Sequence, residues 1–333
     1  ICPGCSRGCN IEIHFNERFN PRYHDKRVHR LKPRHNEEVN SYWMCDEGRY
    51  SYHSVDAEDR LKVPMVRQNG VHKEASWEEA LQRTAQALKS VLEKYGPDGV
   101  ALLASPQMTN EELFRLRQIF RDHLKVSAIE YRAPSDGMAY SDDFLVTADK
   151  NPNSRGAEAL EFAGKGCEEL LRSCSDGNVH FLYLCHHDLT TGLDPHVVSA
   201  SLGKVDFVVF HGSWNHPTAA LADVLLPAAV YAEKEGTFTN VQGRVQRIHA
   251  AVPPLGEALP DLDILARLAA ELGLPLAAAP PREIFLQISQ EVGAFAGMTY
   301  ESVGDMGQPL ADKGTQLANE NRSESSTTAG SKE

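Results

Sequence analysis

The sequence predicts an α/β fold in two parts: a small cysteine-rich domain with short strands, then a doubly wound, mainly parallel α/β domain. Three observations predict this. Cysteine, histidine, arginine and tyrosine crowd the first 60 residues or so, where helical periodicity is poor. Beyond them, helix-period segments alternate with short apolar runs, which implies right-handed βαβ units and a parallel sheet. Two of those runs, Val179–Cys185 and Phe207–Phe210, are almost continuously apolar, the texture of strands buried on both faces. The expected boundaries are 1–62 for the cysteine domain, 63–298 for the α/β domain and 299–333 for a polar, disordered tail.

The elements follow in order. Asn10–Phe15 and Arg27–Leu31 alternate and read as strands. Ser76 followed three residues later by Glu79 is a capping-box pattern, and Trp77, Ala80, Leu81, Leu88, Val91, Leu92 and Tyr95 behind it keep helical spacing up to the stop at Gly96-Pro97. Val100–Ala104 reads as a strand. Thr109 and Glu112 form a second capping pattern before a helix carrying Leu113, Leu116, Ile119, Phe120 and Leu124. Val126–Tyr131 is a further strand, and a helical pattern runs over about 157–171. Val224–Leu226 reads as a sheet strand with the hairpin Gly236–His249 packed on that sheet, and Asp261–Leu272 and Pro281–Val292 as closing helices.

Bulk properties exclude several classes. The chain has 333 residues, 41% hydrophobic and 24% charged, with a net charge of −12. That acidity argues against nucleic acid or an anionic membrane surface as partner. No apolar run reaches the length of a membrane span. The sequence opens at Ile1 directly on a motif and is expected to continue upstream. Seven unevenly spread cysteines do not form a disulfide framework, and their clustering points to metal binding.

The cysteine pattern is C-x2-C-x3-C-x35-C: Cys2, Cys5, Cys9 and Cys45. A [4Fe-4S] cube needs four thiolates. A compact loop covers three corners and a remote cysteine the fourth, while Gly4 and Gly8 let the backbone approach the sulfides. Zinc sites more often show two C-x2-C pairs, which leaves zinc as the competing reading and unliganded thiols as the third. Trp43 and Met44, just before Cys45, are expected to pack around the cluster and exclude water.

The cysteine motif, "YWMCDEGR" (Tyr42–Arg49), "SWEEAL" (Ser76–Leu81) and "ADVLLPAAVYAEKEGTFTNVQGRVQR" (Ala222–Arg247) in this order resemble the molybdopterin oxidoreductase superfamily. The last run is especially similar to the 75 kDa subunit of NADH:quinone oxidoreductase (complex I). The resemblance implies a shortened molybdopterin-oxidoreductase-like α/β domain and a [4Fe-4S] cluster on Cys2, Cys5, Cys9 and Cys45. It implies an electron-transfer and scaffold subunit, partnered by other subunits of a membrane-associated respiratory complex, cytoplasmic and peripheral to the inner membrane. Three departures from catalytic members imply that molybdopterin is absent. Glu47 stands where they often carry Lys. "EYRAPSD" (Glu130–Asp136) offers the metal no Cys and only the hydroxyl of Ser135. "SDDFLVTADKNPNSRGA" (Ser141–Ala157) runs across the place of a large inserted domain. The alternative is a short molybdenum or tungsten bis-pterin enzyme of formate dehydrogenase or nitrate reductase type, and a zinc-bearing structural module is the third.

Other candidates have bland readings beside sharp ones. Cys167, Cys174 and Cys185 lack ligand spacing and read as buried thiols. His186, His187, His211 and His216 follow two core strands, where a parallel sheet places its binding crevice, so a metal site stands beside the reading of loop residues over a vestigial crevice. Arg49, Arg244 and Arg247 either cradle a pyrophosphate or make internal ion pairs. The basic run Tyr23–Arg34 reads as a docking surface beside the cluster, and Gly164-Lys165-Gly166 is not a dinucleotide fingerprint.

Overall fold

The computed structural model describes residues 1–18, 26–132, 140–142, 144–162 and 166–311. Ser135, Gly164, Lys165, Tyr23 and residues 312–333 lie outside them.

The chain begins with the cysteine loop and then β1 (Ile11–Phe15), which pairs antiparallel with β2 (Val28–Pro33). A single-turn helix α1 (Asp46–Tyr50) follows Cys45. Residues 1–62 do not close a core of their own. Ile11, Val28, Leu31 and Val55 pack in one cluster with Val230, Tyr231, Ala232 and Val252, so this part is completed by residues from the α/β body.

The body is a seven-stranded sheet. A hairpin, β3 (Met65–Gln68) and β4 (Val71–Glu74), forms one edge. It is followed by α2 (Trp77–Tyr95), whose start is capped by Ser76 Oγ accepting from Glu79 N at 3.1 Å and whose end falls at Gly96. Then come β5 (Val100–Leu103), α3 (Asn110–Leu116), β6 (Ala128–Glu130), α4 (Ser154–Ala159), α5 (Cys167–Ser175), β7 (Phe181–Cys185), α6 (Pro195–Leu202), β8 (Phe207–Gly212) and β9 (Val224–Pro227). The sheet order is β4-β3-β9-β8-β7-β5-β6, parallel from β9 to β6 and antiparallel at the β3 edge. The β7 and β5 strands are buried at every position, as their unbroken apolar runs predict. One large core lies on the face covered by α2, α3 and later helices, and a second lies under α5 and α6. A separate three-stranded sheet holds β10 (Gly236–Thr239), β11 (Arg244–Ile248) and, after α7 (Asp261–Leu272), α8 (Pro281–Glu291) and α9 (Tyr300–Val303), the short β12 (Gln308–Pro309). Among the described residues no helix is long and apolar enough to cross a membrane.

Four expectations need correction. The helix expected over 157–171 is broken: Glu161 and Gly166 take left-handed backbone angles (φ +65° and +99°), and α5 starts anew after Gly166. The glycines at 164 and 166 that made a poor fingerprint also make a poor helix interior. The helix after Thr109 widens into a π turn over Arg117–His123. The β10–β11 hairpin forms its own sheet instead of lying on the main one. Of the expected disordered tail, 299–311 is folded: Thr299 caps α9, and Gln308 pairs with Val245 because β11 has a free edge to satisfy.

Candidate functional site

The cysteine loop is folded by its own backbone. Cys2 N donates to Cys9 O (2.9 Å) and Gly8 N to Cys5 O (3.3 Å), which curls the three thiols to one side. Asn40 brings in the remote cysteine: its Oδ1 accepts from Asn10 N (2.9 Å) and its Nδ2 donates to Trp43 O (3.0 Å). Cys45 then serves as the N-cap of α1, with Sγ accepting from Gly48 N at 3.3 Å. All four cysteines line one pocket, with Gly4, Met44, Glu47, Gly48 and Leu145. Cys2, Cys5 and Cys9 are buried and Cys45 is half-buried.

The site fits an anionic iron–sulfur cluster better than a single zinc ion. All four cysteines are among the described residues, and no three of their sulfurs lie within 4.8 Å of one another. A tetrahedral zinc with Zn–S of about 2.3 Å would bring its sulfurs to about 3.8 Å. Gly48 is a cradle: a Cβ there would stand 3.0 Å from Cys2 Sγ and 3.5 Å from Cys45 Sγ. Backbone N–H groups of Gly4 and Gly48 point at Cys2 and Cys45 sulfur. Burial, with repulsion from the other sulfurs, pushes the Cys2 thiol up to about 11 and the Cys9 thiol up to about 12. A metal centre bound by these thiols would displace their protons.

The β10–β11 hairpin holds this loop on the α/β body. Gln246 Nε2 donates to Gly8 O (3.1 Å), Asn240 Nδ2 to Arg7 O (3.2 Å) and Val241 N to Ser6 O (2.7 Å). Gly8 has φ +67°, and a Cβ on it would meet Gln246 Oε1 at 2.6 Å. Behind the hairpin, Thr239 N donates to Asn153 Oδ1 (2.7 Å), Asn110 Nδ2 to Thr237 and Thr239 Oγ1, and Thr237 N to Glu111 Oε2 (2.8 Å). The pattern of Gly236–His249 predicts a hairpin but does not single out Asn240 and Gln246. The available signal was the density of polar side chains in "TFTNVQGRVQ", of which Thr237, Thr239, Asn240 and Gln246 are buried and hydrogen-bonded. Glu47, read as a departure from a Lys position, pairs with Lys150 (2.9 Å), so a distant segment brings an ammonium beside the cysteine pocket. Met44 is buried against the pocket as expected, but Trp43 is 58% exposed and packs edge-on against Phe144. Asn40 turns the chain so that residue 44, not 43, faces inward.

At the carboxyl ends of β7 and β8 the four histidines separate. His186 Nε2 donates to Asp261 Oδ1 (2.7 Å), and His211 Nε2 stands 3.3 Å from the same oxygen, out of line for a hydrogen bond. Tyr183 OH meets His211 Nδ1 (2.9 Å). His187 is turned toward Ala104 and Tyr131 carbonyls, and His216 toward Asp188. His186, His211 and Asp261 have metal-ligand spacing. Lys234 already supplies the cation, bonding Asp261 Oδ2 and Glu112 Oε2 at 2.8 Å each. Burial pushes Glu112 up to about 8, with Asp261 adding to it. Burial works against ionised Asp261, but Lys234 and His186 hold its carboxyl well below the usual range. Lys234 thus offsets the charge of Asp261 within the network. Burial pushes His186 down to about 4.

The other candidates are engaged internally. Arg49 pairs with Asp46, Arg244 with Glu38, and Arg247 lies over the Tyr300 ring, so these arginines do not fit a pyrophosphate cradle as they stand. From the basic run, Arg27 is bound to Asp56 and Glu233, and Arg34 to Asn10. Cys167, Cys174 and Cys185 are core thiols, and burial holds Cys174 and Cys185 above the usual thiol range.

A family model described as molybdopterin oxidoreductase matches residues 60–135 and 144–271. A Staphylococcus aureus protein named "Putative formate dehydrogenase" is 37% identical over 159 residues, 46% of this chain and 16% of the relative. A namesake from a bovine strain is 39% identical over 141 residues, 41% of this chain and 14% of its own length. The matched regions thus span less than a fifth of these relatives. Among solved structures, acetylene hydratase from Pelobacter acetylenicus superposes with a TM-score of 0.58 at 12% identity, covering 93% of this chain and 74% of that one. At that identity the likeness concerns the fold alone, and it agrees with the mainly parallel sheet read from the sequence. The relatives' names favour the formate dehydrogenase alternative over the complex I resemblance, and they lend no support to the expectation that molybdopterin is absent.

Proposed function

This chain belongs to the molybdopterin oxidoreductase family, and from that premise we propose that it is the electron-relay portion of a formate dehydrogenase-type oxidoreductase. A [4Fe-4S] cluster held by Cys2, Cys5, Cys9 and Cys45 supplies one-electron transfer when bound. The chain's residues do the rest. Gly4 and Gly48 N–H groups stabilise negative charge on sulfur, and Met44 and Leu145 keep water from the pocket. Asn240 and Gln246 fix the loop to the β10–β11 hairpin.

The observation that carries this reading is the meeting of three loop cysteines and the remote Cys45 in one pocket, with N–H donors aimed at two of their sulfurs. A second reading, a complex I-type scaffold subunit peripheral to the inner membrane, draws support from the internal pairing of Arg49 and Arg244 and the packing of Arg247. Elemental analysis of anaerobically prepared protein separates them. Iron, sulfide and molybdenum or tungsten together support the first. Iron and sulfide alone support the second, and one zinc per chain sinks both.

A further inference from the structure

We propose that the surface around Cys45 docks a one-electron carrier protein that presents a basic rim around an apolar centre. The inference rests on the cluster assignment above. Cys45 is the one of the four cysteines that is not fully buried, so it marks the side on which the pocket comes nearest to solvent. Exposed aromatics flank Cys45 along the chain. Tyr42 and Trp43 immediately precede the buried Met44, Tyr50 ends the helix that Cys45 caps, and Phe144 packs on Trp43 beside pocket-lining Leu145. Each of these four rings is more than half exposed. Elsewhere, exposed apolar side chains such as Val71 and Val197 lie apart from one another along the chain. Exposed aromatics beside a redox pocket, two of them in contact, mark an interaction site, and Tyr and Trp are the residues enriched at interface centres.

The rim identifies the partner's charge. Glu37, Glu38, Asp46 and Glu47 surround these aromatics in sequence, and their side chains are 63–88% exposed. Arg49, Lys150 and Arg244, the cationic partners of Asp46, Glu47 and Glu38, are only 14–36% exposed, so these pairs turn their carboxylates outward. The net charge of −12 adds to the same field. A basic carrier is steered to such a rim, and its own redox centre is brought close to Cys45. The step is electron transfer alone. One electron leaves the reduced cluster and enters the carrier's oxidised metal; no bond is formed or broken and no proton moves.

The test uses the reconstituted chain with cytochrome c, a basic haem protein, as the probe. Binding of the ferrous form to the oxidised chain is read by calorimetry, and reduction of the ferric form by the reduced chain is read optically. Trp43→Ser and Phe144→Ser are expected to weaken binding and slow reduction about tenfold or more, as for central aromatic anchors. Val197→Ser should change neither, and raising salt should weaken binding. Iron and sulfide are measured in every sample. Full cluster content with unchanged binding in Trp43→Ser overturns the docking surface and leaves the cluster reading intact. Tighter binding of an acidic carrier than of cytochrome c overturns the charge assignment. A chain that takes up no cluster overturns both readings.

Discussion

Gly48→Ala sets two physical effects against each other. Gly48 lies inside α1, where replacing Gly by Ala ordinarily stabilises a helix by about 0.8–1.0 kcal/mol. The new Cβ would stand 3.0 Å from Cys2 Sγ, 3.4 Å from Met44 Cε and 3.5 Å from Cys45 Sγ. In the metal-free chain Met44 and Cys2 can yield by a rotamer shift, so folding should change little or improve slightly. Once iron fixes the sulfurs they cannot yield, and crowding of this kind costs about 1–3 kcal/mol. That corresponds to a roughly five- to 150-fold weaker hold on the cluster. Gly4→Ala is the control, because its Cβ would meet Cys2 Sγ at an ordinary 3.6 Å. Both variants are reconstituted anaerobically and challenged with an iron chelator, and iron and acid-labile sulfide are counted per chain. Gly4→Ala should retain cluster like the parent while Gly48→Ala loses it. Equal retention in all three proteins would refute the cradle, and so would equal loss in both variants.

Lys234→Met leaves Asp261 and Glu112 buried without their ammonium and should cost about 3–5 kcal/mol by urea unfolding with unchanged m-value. Adding Asp261→Asn should recover part of it, and a single-variant cost below about 1 kcal/mol would mean the pair is not buried as described. Leu225→Ala, in the centre of β9, should cost about 2–5 kcal/mol; a loss within error would put Leu225 outside the core. Burial pushes Glu111 up to about 7 despite hydrogen bonds from Thr237 and Tyr300. A folded pKa above the unfolded one means the folded state holds the proton more tightly. This group's contribution to stability is therefore full at low pH and falls as pH rises from the ordinary carboxylate range to about 7. Glu111→Gln should flatten the stability curve in that window, and a variant curve parallel to the parent's would contradict the assignment.

The sequence was most legible where a local rule and the tertiary environment agree. Capping residues Ser76 and Thr109, the apolar runs of β5, β7 and β8, and the helix Asp261–Leu272 all lie where spacing puts them. The four cysteines were legible as a set because thiol spacing carries chemistry independently of fold. What escaped depends on contacts far apart in sequence. Lys150 reaches Glu47 across 103 residues, and Gln246 reaches Gly8 across 238. Trp43 was misplaced because hydrophobicity alone does not say which of two neighbouring apolar residues a loop turns inward. The crevice histidines were seen as one group, but only His186 and His211 converge, since β7 and β8 are adjacent and in register at Cys185 and His211. The network's cation, Lys234, comes from the loop before β10, whose position no local pattern reveals.

The most direct test of the central claim is iron and acid-labile sulfide per chain in the parent and in Cys45→Ala, both reconstituted anaerobically. The account predicts about four of each in the parent, as one [4Fe-4S] cluster requires, and no stable cluster in the variant. A full complement in Cys45→Ala, or a single zinc in place of iron in the parent, would contradict it.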